Sequence, residues 1–87
     1  MEINDILTEV KLMLNYGEND ESDKNLTRYI NGVIDYAVKA GVPKDVIMSE
    51  SSLDVIALGV DDLKTTKVLS DFVKSRITQL SMVSSDV

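Results

Sequence analysis

The chain has 87 residues, of which 44% are hydrophobic and 28% charged, as in an ordinary globular protein. Its 9 Lys and Arg against 15 Asp and Glu give a formal charge of −6, which argues against direct nucleic-acid binding by a monomer. No apolar run approaches the roughly 18 residues that a membrane span needs. Because the opening Met-Glu-Ile-Asn lacks the regions of a signal peptide, we expect the protein in the cytoplasm of the producing cell.

The sequence contains neither His nor Cys, which excludes a catalytic triad, a Cys-His pair, a disulfide framework and a thiolate metal site. The adjacent carboxylates Asp61 and Asp62 would point about 100° apart on a helix and could not converge on one substrate atom. The acidic run 18–23 does not fit a calcium-binding EF-hand loop, since Lys24 and Ile30 occupy the positions of its Gly and its final Glu. We therefore expect no enzyme, no cofactor and no metal site.

The first predicted helix spans residues 5–15. Apolar residues recur along it at spacings of three and four, as on a one-sided helix: Ile3, Ile6, Leu7, Val10, Met13 and Leu14. Asn4 or Asp5 is expected to cap its start, and Gly17 its end, within an acidic turn. Leu12 falls on the opposite, polar face.

The second predicted helix spans residues 22–40, with Ser22 or Asp20 as its N-cap. Gly41 supplies the left-handed position after its end, and Pro43 prevents the helix from resuming at once. One apolar face follows the helical period, with two tyrosines at its margin: Leu26, Ile30, Val33, Ile34, Ala37 and Ala40, with Tyr29 and Tyr36.

Gly32 lies on the polar side of this second helix. A glycine in an exposed helix interior costs about 1 kcal/mol relative to Ala. Close approach of a neighbouring backbone would justify that cost, and sequence drift is the alternative explanation.

A connector at 42–51, with one helical turn at 44–47, leads into a third predicted helix at 52–63. Its apolar residues are spread around nearly the whole circumference: Val55, Ile56, Ala57, Leu58 and Val60. Such a pattern predicts burial on all sides. Because a domain of this size buries only about 60% of its unfolded surface, the pattern favours contacts with partner chains, with packing in the core as the alternative.

The fourth predicted helix spans residues 70–82, with Ser70 as its cap. It carries Phe72, Val73, Ile77 and Leu80, and residues 84–87 are expected to fray. The preceding dipeptide Val68-Leu69 could pair briefly as a strand. Together these patterns predict an all-α fold, a single domain over 1–87 built as a small bundle of about four helices.

The segment Ser51-Ser52-Leu53-Asp54 resembles the Asp-Ser-Leu motif of acyl carrier proteins, in which the serine carries phosphopantetheine. Ser51 replaces the motif's Asp, and a long helix stands where a carrier protein has its long first loop. N-capping by Ser52 would explain the same residues. A carrier domain modified on Ser52 and a small acidic protein-binding regulator are the two alternative functions.

The segments Asp54–Leu63 and Ser70–Leu80 resemble the C-terminal half of phage and prophage head–tail connector proteins, also called adaptor or head-completion proteins. Ile6–Leu14, the acidic turn and the helix ending in Ala40-Gly41-Val42 are similar to the N-terminal half. The resemblance implies a virion protein of the head–tail junction, made in the host bacterial cytoplasm. It also implies a ring of about a dozen copies of itself between the portal protein and a tail-completion or stopper protein, with DNA passing through without sequence-specific binding and with no membrane partner.

Seven residues match the pattern of that family: Gly59, Asp62 and Leu63 in the third helix, and Phe72, Arg76, Gln79 and Leu80 in the fourth. The chain departs from it at Asp61 and Lys64, where an Asn and a large aromatic are expected, and the loop 64–69 is short. We therefore expect this loop to contact the portal or a neighbouring subunit differently from the corresponding loop of that family. The candidate subunit or portal interface consists of Leu12, Gly32, Tyr36, Val55, Leu58, Lys64, Phe72 and Arg76.

Overall fold

The computed structural model describes residues 1–16 and 22–85, with side chains up to Met82. These residues form five α-helices: α1 Ile3–Met13, α2 Asp23–Lys39, α3 Lys44–Ile47, α4 Leu53–Thr65 and α5 Asp71–Ser85. A single 3-10 turn, Glu50–Ser52, joins α3 to α4. The described part of the chain contains no strand, so the predicted all-α class is confirmed, and the brief strand at Val68-Leu69 is wrong.

Helix α1 begins at Ile3, two residues earlier than predicted. Glu2 is extended, and its backbone N–H donates to Oδ2 of Asp5 at 3.0 Å. Asp5 therefore stabilises the helix from its third position, where a carboxylate also favours the positive end of the helix dipole. Neither Asn4 nor Asp5 is the N-cap that the sequence predicted.

The end of α1 is closed by Asn15, which adopts a φ of 57°. The N–H of Tyr16 then donates to the carbonyl of Lys11 at 3.0 Å, as in a Schellman motif. Asn tolerates the left-handed conformation better than most residues do. Gly17, predicted for this role, and the remainder of the acidic turn at 17–21 lie outside the described residues.

The predicted boundaries of α2 are confirmed by local chemistry. The hydroxyl of Ser22 accepts a hydrogen bond from the backbone N–H of Asn25, in the first turn of the helix, at 3.2 Å. Gly41 has a φ of 104°, and the N–H of Val42 donates to the carbonyl of Ala37 at 3.0 Å. Pro43 then precedes the single turn α3, where a helical turn was predicted.

Helix α4 lies in the middle of the bundle and contacts α1, α2 and α5. These neighbours bury Val55, Ile56 and Val60 within one chain, so partner chains are not required to cover them. Leu58 is the one member of the predicted apolar set that stays exposed. The all-round apolar pattern is therefore explained by the central position of the helix, and the expectation that it needed other chains is corrected for these three residues.

The core draws on every helix, and its buried apolar side chains are Ile6, Val10, Leu26, Ile30, Val33, Ile34, Ala37, Val42, Ile47, Leu53, Val55, Ile56, Ala57, Val60, Leu69, Val73 and Ile77. Two residues predicted on buried faces, Met13 and Ala40, are exposed. Both lie at or next to the end of a helix, where the backbone leaves the core. Helix α5 packs mainly against α4.

Helices α2 and α4 approach each other closely at Gly59. A Cβ atom on Gly59 would lie 2.7 Å from Cγ2 of Val33, closer than packed atoms come. A Cβ on Gly32 would lie at an ordinary 3.4 Å from Cδ1 of Leu63. The tight contact lies at Gly59, where it was not predicted, and the close approach of another backbone to Gly32 stays a prediction.

We expect Gly59→Ala to lower the free energy of unfolding by about 1 kcal/mol. Overpacking at a buried crossing costs about 1–3 kcal/mol, and the better helix propensity of Ala returns about 1 kcal/mol. Gly32→Ala is the matched control and should be neutral or stabilising, because the flexible end of Leu63 can adjust. Urea unfolding of both variants measures the difference, and equal effects would contradict a tight crossing at Gly59.

Candidate interface surfaces

Helices α4 and α5 form an antiparallel hairpin tied at two levels by polar contacts. At one level Nη2 of Arg76 lies 3.2 Å from Oδ2 of Asp54. At the other, the N–H of Ser70 donates to Oδ2 of Asp62 at 3.0 Å. Ser70 also caps α5 as predicted, because its hydroxyl accepts from the N–H of Val73 at 3.3 Å.

Leu58 and Phe72 lie between these two ties, with 42% and 58% of their surfaces exposed. Leu58 is one turn after Asp54 on α4, and Phe72 is one turn before Arg76 on α5, so both lie on the side of the ion pair. We call Asp54, Leu58, Phe72 and Arg76 the hairpin surface. Three predicted interface residues, Leu58, Phe72 and Arg76, thus lie on one side of the hairpin, and two of them, Phe72 and Arg76, are of types enriched at partner-binding surfaces.

A second apolar surface is an open groove of about 310 Å³ between α2 and α5, which we call the groove. It is lined by Gly32, Tyr36, Leu63, Val68, Leu69 and Lys74. Two predicted interface residues, Gly32 and Tyr36, therefore lie in one place. Sequence reasoning missed Val68, which is 63% exposed; the available signal was an apolar residue following a polar loop.

Lys64 contacts its own chain. Its Nζ lies 4.0 Å from the centroid of the Tyr16 ring, and the Tyr16 hydroxyl donates to Oδ1 of Asp61 at 3.5 Å. A cation–π contact at a partly exposed site contributes about 0.5–1 kcal/mol. The two positions at which the chain departs from the connector pattern therefore hold the end of α1 against α4.

The remaining predicted interface residues lie at opposite extremes of exposure. Leu12 is 70% exposed on the outer face of α1, as its position on the polar face predicts. Val55 is buried in the core and presents no surface to another molecule. We therefore remove Val55 from the candidate interface.

The serines in the segment between α3 and α4 have a structural role. The hydroxyls of Ser49 and Ser52 both donate to the carbonyl of Val46, at 2.6 and 2.9 Å. Ser52 is completely buried, and its side chain makes no cap hydrogen bond to α4, contrary to the predicted N-cap. A buried hydroxyl already engaged with a backbone carbonyl is a poor acceptor for phosphopantetheine, which counts against a carrier domain.

Residues 1–16 and 22–85 contain neither a metal-binding cluster nor a membrane-spanning helix. No cluster of three or more acidic side chains there could hold a metal ion. None of the helices in this part of the chain has the length and apolar character to cross a membrane.

We expect Asp62→Ala to destabilise the turn between α4 and α5. The variant leaves the Ser70 N–H without its carboxylate partner, and loss of a comparable cap costs about 1 kcal/mol. Hydrogen exchange at the Ser70 amide should accelerate, and urea unfolding should shift by the same free energy. Asp62→Asn keeps an acceptor oxygen and serves as control; if it behaves like Asp62→Ala, the hydrogen bond is not what fixes the turn.

Comparison with known proteins gives one family. The family described as phage connector protein matches residues 6–83 of the chain. The match therefore includes all of α2, α3 and α4 and most of α1 and α5. No curated protein and no solved structure shows significant similarity to the chain.

Proposed function

The chain belongs to the phage connector family, and on that premise we propose that it is a structural, non-catalytic protein of the virion that assembles as a ring between portal and tail. In this role about a dozen copies complete the DNA channel after packaging. The portal protein lies on one side of the ring and a tail-completion or stopper protein on the other. The observation that carries the proposal is the family match over residues 6–83.

The surface of the molecule supports an assembly role. A subunit of a ring needs two different surfaces for its two neighbours and another for the component it docks on. The described residues offer three separate apolar features: the outer face of α1 with Leu12, the groove, and the hairpin surface. The absence of His and Cys from the sequence removes the side chains on which acid–base and nucleophilic catalysis most often depend.

We assign the hairpin surface to the portal protein. Its charges are already paired within the chain, since Asp54 and Arg76 lie 3.2 Å apart. The exposed surface between them is apolar, through Leu58 and Phe72. Such a surface gains free energy from burial without needing a complementary charge on the partner.

We expect the protein to form a ring when it is co-expressed with the portal protein of the same phage. Native mass spectrometry and electron microscopy of the purified complex measure the copy number and the position of the ring. A chain that stays monomeric and unbound beside a fully assembled portal would contradict the proposed function.

Leu58→Ser and Phe72→Ser are expected to fold and to weaken portal binding. Hot-spot side chains at an interface typically contribute about 2 kcal/mol or more, so binding should fall by more than tenfold. Val38→Ser is the matched control, because Val38 is a similarly exposed apolar residue on α2, away from the hairpin. Equal portal binding by all three variants would exclude the hairpin surface as the portal contact.

We expect no adduct on Ser52 after incubation with a phosphopantetheinyl transferase and coenzyme A. The hydroxyl is buried and donates to Val46. Intact-protein mass spectrometry checks this, with an acyl carrier protein as positive control. A stoichiometric adduct that disappears in Ser52→Ala would instead establish the carrier function.

A further inference from the structure

The net charge of the protein comes entirely from its N-terminal quarter. Residues 1–23 contain seven acidic side chains and a single basic one, Lys11. The rest of the chain contains eight acidic and eight basic side chains. The molecule therefore has one strongly acidic region attached to a neutral body.

Within this region α1 presents an apolar side chain among acids. Asp5, Thr8, Glu9 and Leu12 are spaced as i, i+3, i+4 and i+7 and share the outer face of the helix. Leu12 is its most exposed large apolar residue, at 70%. Glu9 forms no ion pair with any residue in the described part of the chain. This outer face is thus an apolar knob beside unpaired negative charge.

The groove between α2 and α5 has the complementary character. Its lining is apolar apart from Lys74, and Lys67 directly precedes the exposed Val68. Neither lysine forms an ion pair with a described residue. Asp71, one turn before Lys74 on α5, is the acid nearest in sequence to this side of the groove.

The α2 side of the groove is also flanked by cations. Arg28 lies four residues before Gly32, and Lys39 lies three residues after Tyr36, so all four share one side of the helix. Asp35 is the acid at the margin of this side. No ion pair joins Arg28 or Lys39 to another residue of the described chain. By this spacing Arg28, Lys39 and Lys67 flank the groove that Lys74 lines. Gly32 leaves room in the groove for an inserted side chain.

The two surfaces lie on different sides of the molecule. On α4, Asp61 and Lys64 face the end of α1 through Tyr16. Leu63, on another side of the same helix, lines the groove. One copy can thus offer α1 to one neighbour while it receives the α1 of another, which is the requirement for a head-to-tail contact.

We propose that the groove of one copy binds the outer face of α1 from a second copy of this chain. Leu12 enters the groove beside Tyr36 and Val68, and Glu9 faces Lys67 and Lys74. Repetition of this contact closes a ring if the rotation between copies allows it. The assignment rests on the proposed ring function and names the surfaces that build the ring.

Disulfide trapping tests the contact directly, because the natural chain contains no Cys. The double variant Leu12→Cys with Val68→Cys should give, on mild oxidation with the portal protein present, a ladder of linked trimers and larger species. The control, Leu12→Cys with Val38→Cys, should give no ladder. A ladder of equal yield in the control would overturn the proposal. So would efficient dimers from Leu12→Cys alone, which would indicate a symmetric α1–α1 contact.

Charge reversal tests the electrostatic part in the same Cys background. Glu9→Lys and Lys74→Glu should each reduce the yield of linked species several-fold, and the two together should restore it. Circular dichroism and urea unfolding check that each variant folds, as expected for exposed or half-exposed positions. Undiminished yields in both single variants would exclude this pairing.

The same preparations separate failure of this contact from failure of the proposed function. A ring on the portal without any Leu12–Val68 ladder would overturn the docking of α1 and leave the connector function intact. A ladder formed by the chain with no ring on the portal would support the docking and overturn the function.

Discussion

The crossing of α2 and α4 at Gly59 is the contact on which the rest of the structure depends. Val33 occupies the space that a side chain at Gly59 would fill, and Leu69 also approaches the same position, 3.4 Å from a Cβ placed there. One glycine thus allows α2 and the residue that leads into α5 to pack against the same point of α4. Because Leu69 lines the groove, the shape of the groove follows from this crossing.

Helix ends could be predicted from the sequence wherever one residue dominates the local chemistry. Gly41 is such a residue, since few others adopt its φ of 104° without strain. At the end of α1 the sequence predicted Gly17 as the cap, whereas Asn15 takes the left-handed conformation. Asn adopts this conformation less readily than Gly, so its propensity alone did not point to it.

The candidate surfaces were predictable only in part, because they depend on how the helices pack against each other. Periodicity tells which face of a helix is buried, so the exposure of Leu12 followed directly from it. It does not tell which neighbour provides the burial, and partner chains were therefore expected around Val55. The placement of Leu58 and Phe72 on one side of the hairpin depends on the register of α4 against α5. The contacts of Asp54 and Asp62 accompany that register, and no pattern within one helix predicts it.

A departure from a family pattern need not mark a changed contact with a partner. Asp61 and Lys64 were expected to alter the contact of the short loop with another molecule, yet both hold Tyr16 of the same chain. Anchoring Tyr16 fixes where α1 ends and hence the orientation of its outer face. The two residues thus position the end of α1 within the chain.

Single exposed apolar residues are normal on protein surfaces and carry no information individually. Their arrangement does, because in this chain the core is already complete without Leu12, Leu58, Val68 or Phe72. The charges distinguish between possible contacts of two copies, since acidic residues lie near Leu12 and cations lie beside the groove. A two-fold contact of α1 with itself would bring like charges together, whereas a head-to-tail contact pairs opposite ones. The separation of charge along the sequence therefore favours the kind of contact from which rings are built.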